Sequence, residues 1–411
     1  MAKLSPEQAL NVRIFPAVAF TFIAYFCIGA PLAILPSYLH LQLGTSTLVA
    51  GLLVSLQYIA TFATRPRTGR LTDTIGPRQT VRYGMLACAG SGVLLVLAVL
   101  LHHSLWLSLG VLALSRLVLG TGESLSSTGA TMWGIGRVGT PHTARVISWN
   151  GVGTYSGIAL GAPLGVLATA AWGFAAVGAI ICAVCLASYV AATRMEPTAT
   201  VKGEPVPMRH IILSVTPYGL ALALGGTGFG VISTFITLYF AHRGWQGAAL
   251  SLTVYGVSFV GARLLFARSI DRYGGTPVAI VSFIVEVAGL LVLGLSHSQG
   301  LAFVACGLTG LGFSLVFPAL AVVASDRFPV SVRGSVLGIY TAFADLSLFL
   351  AGPVAGAVIS GYGYPAVFLG AGGAVVLALA GTVWLGRAAR PSPAAEAEGT
   401  PCLDCSSGGP T

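Results

Sequence analysis

Apolar residues gather along this chain in twelve runs of about twenty residues each. The runs are centred within 14–38, 46–65, 80–102, 105–133, 146–171, 173–193, 210–241, 246–267, 277–297, 299–325, 334–360 and 364–387. They are longer than barrel strands and lack the period-two alternation of lipid-facing sheets, so the pattern predicts an all-α membrane protein with twelve transmembrane helices. The first run has no convincing small-residue cleavage site and is followed at once by a second span, which reads against a secretory leader. A polar stretch, "RMEPTATVKGEPVPMRH", interrupts the apolar pattern between the sixth and seventh runs. It divides the chain into a six-helix bundle over 1–193, a linker over 194–209 and a second six-helix bundle over 210–388, with a disordered tail over 389–411.

The two halves repeat each other. Pro16, Gly29 and Tyr38 recur at one constant offset as Pro217, Gly230 and Tyr239. "RPRTGRLTDTIG" is answered by "RLLFARSIDRYG", which pairs Arg65, Arg70, Asp73 and Gly76 with Arg263, Arg268, Asp271 and Gly274. Gly120, Gly122, Ser124, Arg137 and Pro163 return as Gly310, Gly312, Ser314, Arg327 and Pro353. A repeat kept over several elements predicts two pseudo-symmetric six-helix bundles related by an axis along the membrane normal.

Composition sharpens this picture. Of 411 residues, 55% are hydrophobic and 8% charged, against roughly 25% charged in soluble domains. All but Arg116 and Arg243 of the 21 Lys and Arg residues fall on the side shared with the amino terminus. The positive-inside rule then places both termini in the cytoplasm of a bacterial-type inner membrane. Basic loops facing an anionic leaflet account for the net charge of +9 without a nucleic-acid partner. The seven cysteines do not form a disulfide framework, and "CLDC", Cys402 to Cys405, is a single CxxC without a second pair. With no P-loop and no nucleophile–base or metal constellation, the sequence argues against ATP-driven transport and against an enzyme, and it implies no cofactor and no metal.

"GRLTDTIGPRQT", Gly69 to Thr80, resembles the loop signature of the major facilitator superfamily (MFS), matching it at Gly69, Leu71, Asp73, Gly76 and Arg78. The resemblance implies the MFS fold and a conformational latch formed by Gly69, Arg70, Asp73, Gly76 and Arg78, with Asp271 in the degenerate second copy. Gly69 is expected to leave room for close helix approach, and Gly76 to permit the turn. "LALSRLVLGTG", Leu112 to Gly122, is similar to the family's helix-four pattern, with Leu119 where Gln is common; the resemblance associates Arg116 with proton transfer. Gly153, Gly157, Gly161 and Gly165 recur every four residues around Pro163, forming a small-residue packing ridge. "GIALGAPLG" within it resembles the signature of twelve-helix drug–proton antiporters, although Ala162 separates Gly161 from Pro163.

Arg116 and Glu123 stand seven residues apart in the fourth run, on one helix face and about 10 Å apart along the axis. Ionisable residues in lipid are functional by default, so both are expected to face a wet interior, with Glu123 as the proton-coupling carboxyl. Arg116 then either binds an anionic substrate group or responds to the charge on Glu123. Asp345 is a second proton site, and Glu286 ranks third. Tyr25, Gln57, Tyr58, Ser124, Trp133, Asn150, Tyr155, Thr227 and Tyr239 are expected to line the cavity. The resulting expectation is a monomeric secondary transporter working by rocker-switch alternating access, exporting a small organic or amphipathic compound in exchange for protons. The alternatives are a proton symporter or uniporter for a sugar or organic anion and, further off, a non-transporting receptor on the same scaffold.

Overall fold

The computed structural model describes residues 6–198, 208–266, 268–328 and 333–388. Twelve helices within them are long and apolar enough to cross a membrane. We number the long helices α1 (Pro6–Leu32), α2 (Thr47–Ile75), α3 (Pro77–Leu100), α4 (Leu105–Val138), α5 (Thr143–Trp172), α6 (Phe174–Arg194), α7 (Met208–Arg243), α8 (Ala248–Leu265), α9 (Gly275–Gly294), α10 (Gln299–Ser325), α11 (Arg333–Tyr362) and α12 (Tyr364–Ala388). A short helix, Leu35–Ser37, and a π turn, Tyr38–Gln42, prolong α1, and Ser269–Tyr273 precedes α9. The CxxC tail, the middle of the linker, Lys3 and Arg390 lie outside the described residues.

Packing follows the internal repeat. In the first half α1 lies against α4 and α5, and α3 lies against α4 and α6. In the second, α7 lies against α10 and α11, and α9 against α10 and α12. The halves meet along two seams, α2 against α11 and α5 against α8.

Small residues let these helices approach. A Cβ on Gly157 would stand 2.9 Å from the Phe26 nitrogen, and one on Gly161 2.9 Å from the Ala30 nitrogen, so the ridge on α5 seats directly on the α1 backbone. Gly153 meets Val18 and Gly165 meets Ala30 along the same line, while Pro163 stands inside α5 without ending it. At the first seam Gly51 and Gly352 touch backbone to backbone. The Thr47 hydroxyl there donates to the Gly356 carbonyl at 3.3 Å and lies 3.2 Å from the Ser360 hydroxyl. At the second seam Gly256 packs on Ala159 and the Tyr155 carbonyl, and the Thr253 hydroxyl donates to the Ala159 carbonyl at 2.9 Å.

The signature loop is a sharp break between two helices. Gly76 adopts φ 87° and its repeat partner Gly274 φ 83°, each immediately before the next long helix, a backbone region that L side chains rarely enter. Asp73 is exposed in the last turn of α2, and partial desolvation pushes its carboxyl above the ordinary value. Arg78 donates to the Met195 carbonyl at 3.0 Å, tying the start of the linker to this loop, and Arg70 is exposed. The close approach expected at Gly69 is not made among the described residues, since a Cβ there would meet nothing within 4 Å. The side chain of Asp271 lies outside the described residues.

Candidate functional site

Arg116 and Glu123 point into the protein and not toward lipid. Each is 1% exposed. Gln57 lies ten residues into α2, about 15 Å below its start and near the middle of a hydrocarbon core roughly 30 Å thick. At that depth Arg116 Nη1 donates to Gln57 Oε1 at 3.2 Å. Gly120 permits this contact between helices, because any side chain there would strike the Gln57 carbonyl. One turn further along α2, the Thr61 hydroxyl lies 3.1 Å from Glu123 Oε2 and 3.0 Å from the Gly120 carbonyl. The Tyr25 side chain, from α1, faces the same carboxylate. Three helices of the first half therefore hold Glu123.

The second half contributes Asp345. Arg65 Nε and Nη2 grip the two Asp345 oxygens in a forked ion pair, with the Nη2–Oδ1 contact at 3.0 Å. This is the bidentate geometry that suits a guanidinium and a carboxylate. Arg65, on α2, reaches Asp345, on α11, across the seam. Glu123 makes no direct contact with this ion pair but lies within electrostatic reach of both its members. The sequence placed Arg65 and Arg263 among the charges of a surface loop. Both are instead drawn into the helix interior, Arg65 partly and Arg263 to 6% exposure.

Arg263 is the repeat counterpart of Arg65, yet its surroundings differ. Its Nη2 donates to the Ser314 carbonyl at 2.8 Å, its Cζ lies 5.0 Å from the centre of the Phe259 ring, and it packs on Gly151 of α5. The offset that carries Pro163 onto Pro353 carries Tyr155 onto Asp345, so tyrosine faces the second arginine where aspartate faces the first. Tyr155 stacks on Phe259 with ring centres 3.5 Å apart and meets Phe229 and Tyr255 edgewise or tilted. Tyr58, buried on α2, lies within electrostatic reach of Glu123 and Asp345 at one seam and of Tyr155 at the other. Neither Arg116 nor Arg263 has a carboxylate partner among the described residues, and the Nε of each lacks a hydrogen-bond partner there, as does Gln57 Nε2.

Of the residues expected to line a cavity, Tyr25, Gln57, Tyr58 and Tyr155 join this region. Ser124 instead pairs with Thr68 at 3.1 Å between α2 and α4. Asn150 accepts from Thr21 at 2.6 Å and donates to Thr131 at 2.7 Å within the first half. Trp133 stacks on Phe20 and donates to the Glu196 carbonyl at 3.1 Å. Thr227 returns its hydroxyl to its own helix. Tyr239 joins Ser296, Trp245 and Phe368 near the end of α7. These five side chains spend their polar atoms on helix packing. Glu286 is wholly buried between Gly228 and Gly312, and neither carboxylate oxygen has a hydrogen-bond partner among the described residues.

The sequence reading missed Arg65, Thr61 and Arg263 as site residues. The signal was present: the two arginines stand at the end of the second apolar run of the first half and within that of the second, at matching register, and the repeat offset pairs Asp345 with Tyr155. Among the described residues no group of three His, Cys, Asp or Glu side chains is arranged to hold a metal.

Comparison with known proteins places this architecture. The chain is 50% identical over 389 residues to an MFS-type transporter of Burkholderia mallei strain SAVP1, covering 94% of this chain and 96% of that protein. It is 46% identical over 370 residues to the MFS-type transporter YhhS of Escherichia coli strain K12, covering 90% and 91%. The inward-open xylose transporter XylE from E. coli shares the fold with a TM-score of 0.76 at 15% identity, over 93% of this chain and 97% of that one. The Major Facilitator Superfamily model matches residues 17–274 and 218–404. With twelve spanning helices, two matched seams and relatives at half identity over nearly the whole length, the chain belongs to the Major Facilitator Superfamily and is a multi-pass membrane transporter.

Proposed function

We propose that this transporter couples a small organic solute to protons through Glu123, Asp345 and Arg65. The observation that carries this reading is the forked Arg65–Asp345 ion pair across the α2/α11 seam, with the buried Glu123 carboxyl in electrostatic reach of both partners. A forked ion pair in a low-dielectric interior holds two helices together only while the acid is ionised. Protonating Asp345, or protonating Glu123 and so redistributing the charge around Arg65, changes how strongly α2 grips α11. Two small changes of charge then bias a packed seam between two arrangements, as alternating access requires. Tyr25 and Thr61 orient Glu123, and Arg116 with Gln57 lies at the same depth. The basic loops put both termini in the cytoplasm, and the exposed Asp73 loop with Arg70 and Arg78 is the latch at that end.

Two directions of coupling suit such a site. The glycine–proline stretch on α5 favours exchange of the solute for protons, and hence export. The two guanidinium groups without carboxylate partners, Arg116 and Arg263, favour an anionic solute travelling with protons. The purified chain in proteoliposomes with an entrapped pH dye separates these readings when neutral, cationic and anionic organic solutes are added in turn. A solute that moves protons through the wild type and not through Glu123→Gln or Asp345→Asn supports the coupling site. Proton movement unchanged in both variants removes these carboxyls from the mechanism.

A further inference from the structure

Arg263 poses an electrostatic problem that the protein alone leaves unsolved. A guanidinium stays protonated at any physiological pH, and burying it in a membrane interior is costly unless an anion compensates. Arg65, its counterpart, has Asp345. Arg263 has a backbone carbonyl, the face of Phe259 and an Nε with no hydrogen-bond partner among the described residues. The groups that titrate or carry charge around it are Tyr155 on α5 and Tyr340 on α11, neither of them an acid at neutral pH.

The position also suits a ligand. The Arg263 side chain stands at the α5/α8 seam, against Gly151 of the first half and Ser314 of the second, so a group bound there touches both moving bodies. Tyr155, Phe229, Tyr255 and Phe259 supply a run of ring faces beside it. A carboxylate fits the fork of a guanidinium, and a flat apolar body fits against the outer side of an aromatic cluster whose rings are packed on one another.

We propose that Arg263 binds the anionic group of a planar organic substrate, whose body lies among Tyr155, Phe229, Tyr255 and Phe259. This rests on the reading of the chain as a proton-coupled transporter, and it selects between the two directions left open above. Around Glu123 stand Tyr25 on α1, Tyr58 and Arg65 on α2, Cys88 on α3 and Asp345 on α11, and Tyr58 connects that group to Tyr155. On this proposal the repulsion between an anion at Arg263 and an ionised Glu123 acts at longer range through the low-dielectric interior, and protonating Glu123 relieves it. Linkage is reciprocal, so the bound anion favours the proton as the proton favours the anion. Anion and proton then occupy the same state and cross together, as symport and not exchange.

The test uses benzoate as the probe, with benzamide as the uncharged isostere, on the purified full chain by calorimetric titration at pH 8 and pH 6, conditions under which benzoate itself stays ionised. The proposal predicts that benzoate binds at least about tenfold more tightly than benzamide, a preference that Arg263→Ala removes and Arg263→Lys keeps in part, since lysine offers charge without the fork. It also predicts tighter benzoate binding at the lower pH, with that pH dependence lost in Glu123→Gln. Far-UV circular dichroism and gel filtration confirm that each variant is folded, and Arg263→Gln replaces the alanine variant if needed. Benzoate binding no better than benzamide, or a preference that survives in Arg263→Ala and Arg263→Gln, overturns the proposal while leaving proton coupling intact. An Arg263-dependent preference with no pH response in the wild type keeps the anion subsite and overturns both the coupling and the symport step.

Discussion

The α2/α11 and α5/α8 seams are built from the same parts and carry different charge. Each begins with a close helix contact at a glycine, Gly51 against Gly352 in one and Gly256 against Ala159 in the other. Each draws in an arginine from its own second-run helix, Arg65 on α2 or Arg263 on α8. One arginine finds Asp345 and closes an ion pair; the other finds Tyr155 and stays without a carboxylate partner among the described residues. On the proposal made above, a single difference across the internal symmetry separates a clasp that a proton loosens from a cation that a ligand neutralises. On our reading the repeat supplied the mechanics twice, and the divergence of Asp345 from Tyr155 divided the chemistry.

The largest expected effect comes from breaking the clasp. Asp345→Ala leaves Arg65 buried beside an empty partner and should cost about 3–5 kcal/mol of stability together with transport. Adding Arg65→Ala should recover much of the stability and none of the transport, because the double variant removes the unpaired charge as well as the coupling. A thermal unfolding series in detergent reads the first quantity and proteoliposome flux the second.

Making the seams alike is the next test. Tyr155→Asp places an acid opposite Arg263 and should add a second clasp, lowering turnover by roughly tenfold, or about 1.4 kcal/mol in the barrier to parting the halves. Flux that is unchanged, with the variant folded, would mean that charge across a seam does not set the rate. Gly352→Val acts on packing instead, forcing a side chain into the Gly51 backbone. It should cost about 1–3 kcal/mol from overpacking, whereas the same change at Gly373, where a Cβ meets nothing within 4 Å among the described residues, should be nearly neutral.

Smaller effects sharpen the account away from the seams. Glu286 is buried without hydrogen-bond partners among the described residues, so Glu286→Leu should raise thermal stability by about 1 kcal/mol or more and leave proton-coupled flux in place. Loss of coupling in that variant would move a proton site into the second half. At the latch, Asp73→Asn should change stability by no more than about 0.5 kcal/mol. A carboxyl whose folded value is raised contributes stability at low pH that is lost as pH rises through that value, so the asparagine variant should be equal or slightly favoured at neutral pH. An altered distribution of conformers, read by accessibility of a cysteine introduced at the helix end, would mark Asp73 as part of the latch.

The fold was legible because hydrophobic length and internal repetition are properties of the chain itself. Twelve apolar runs, the Gly76 turn and the α5 glycine ridge follow from local sequence, and the structure has all three. The pairing of Arg65 with Asp345 was less legible, because it depends on where one long side chain reaches across a seam. An arginine at the end of an apolar run has the same local sequence whether it lies at a membrane surface or turns to a buried acid. Trp133, Asn150 and Tyr239 went the other way. Their polarity suggested a cavity, but the Glu196 carbonyl, the Thr21 and Thr131 hydroxyls and Ser296 satisfy them within the helix packing.

The central claim is that proton binding at the α2/α11 clasp shifts the protein between its two arrangements. Distances between spin labels placed on exposed positions of α2 and α11, measured by double electron–electron resonance across a pH series in lipid nanodiscs, test it without needing a substrate. The account predicts a distance distribution that shifts on acidification in the wild type and stays fixed in Asp345→Asn and Glu123→Gln. A wild-type distribution that ignores pH, or a shift that persists in both variants, would contradict it.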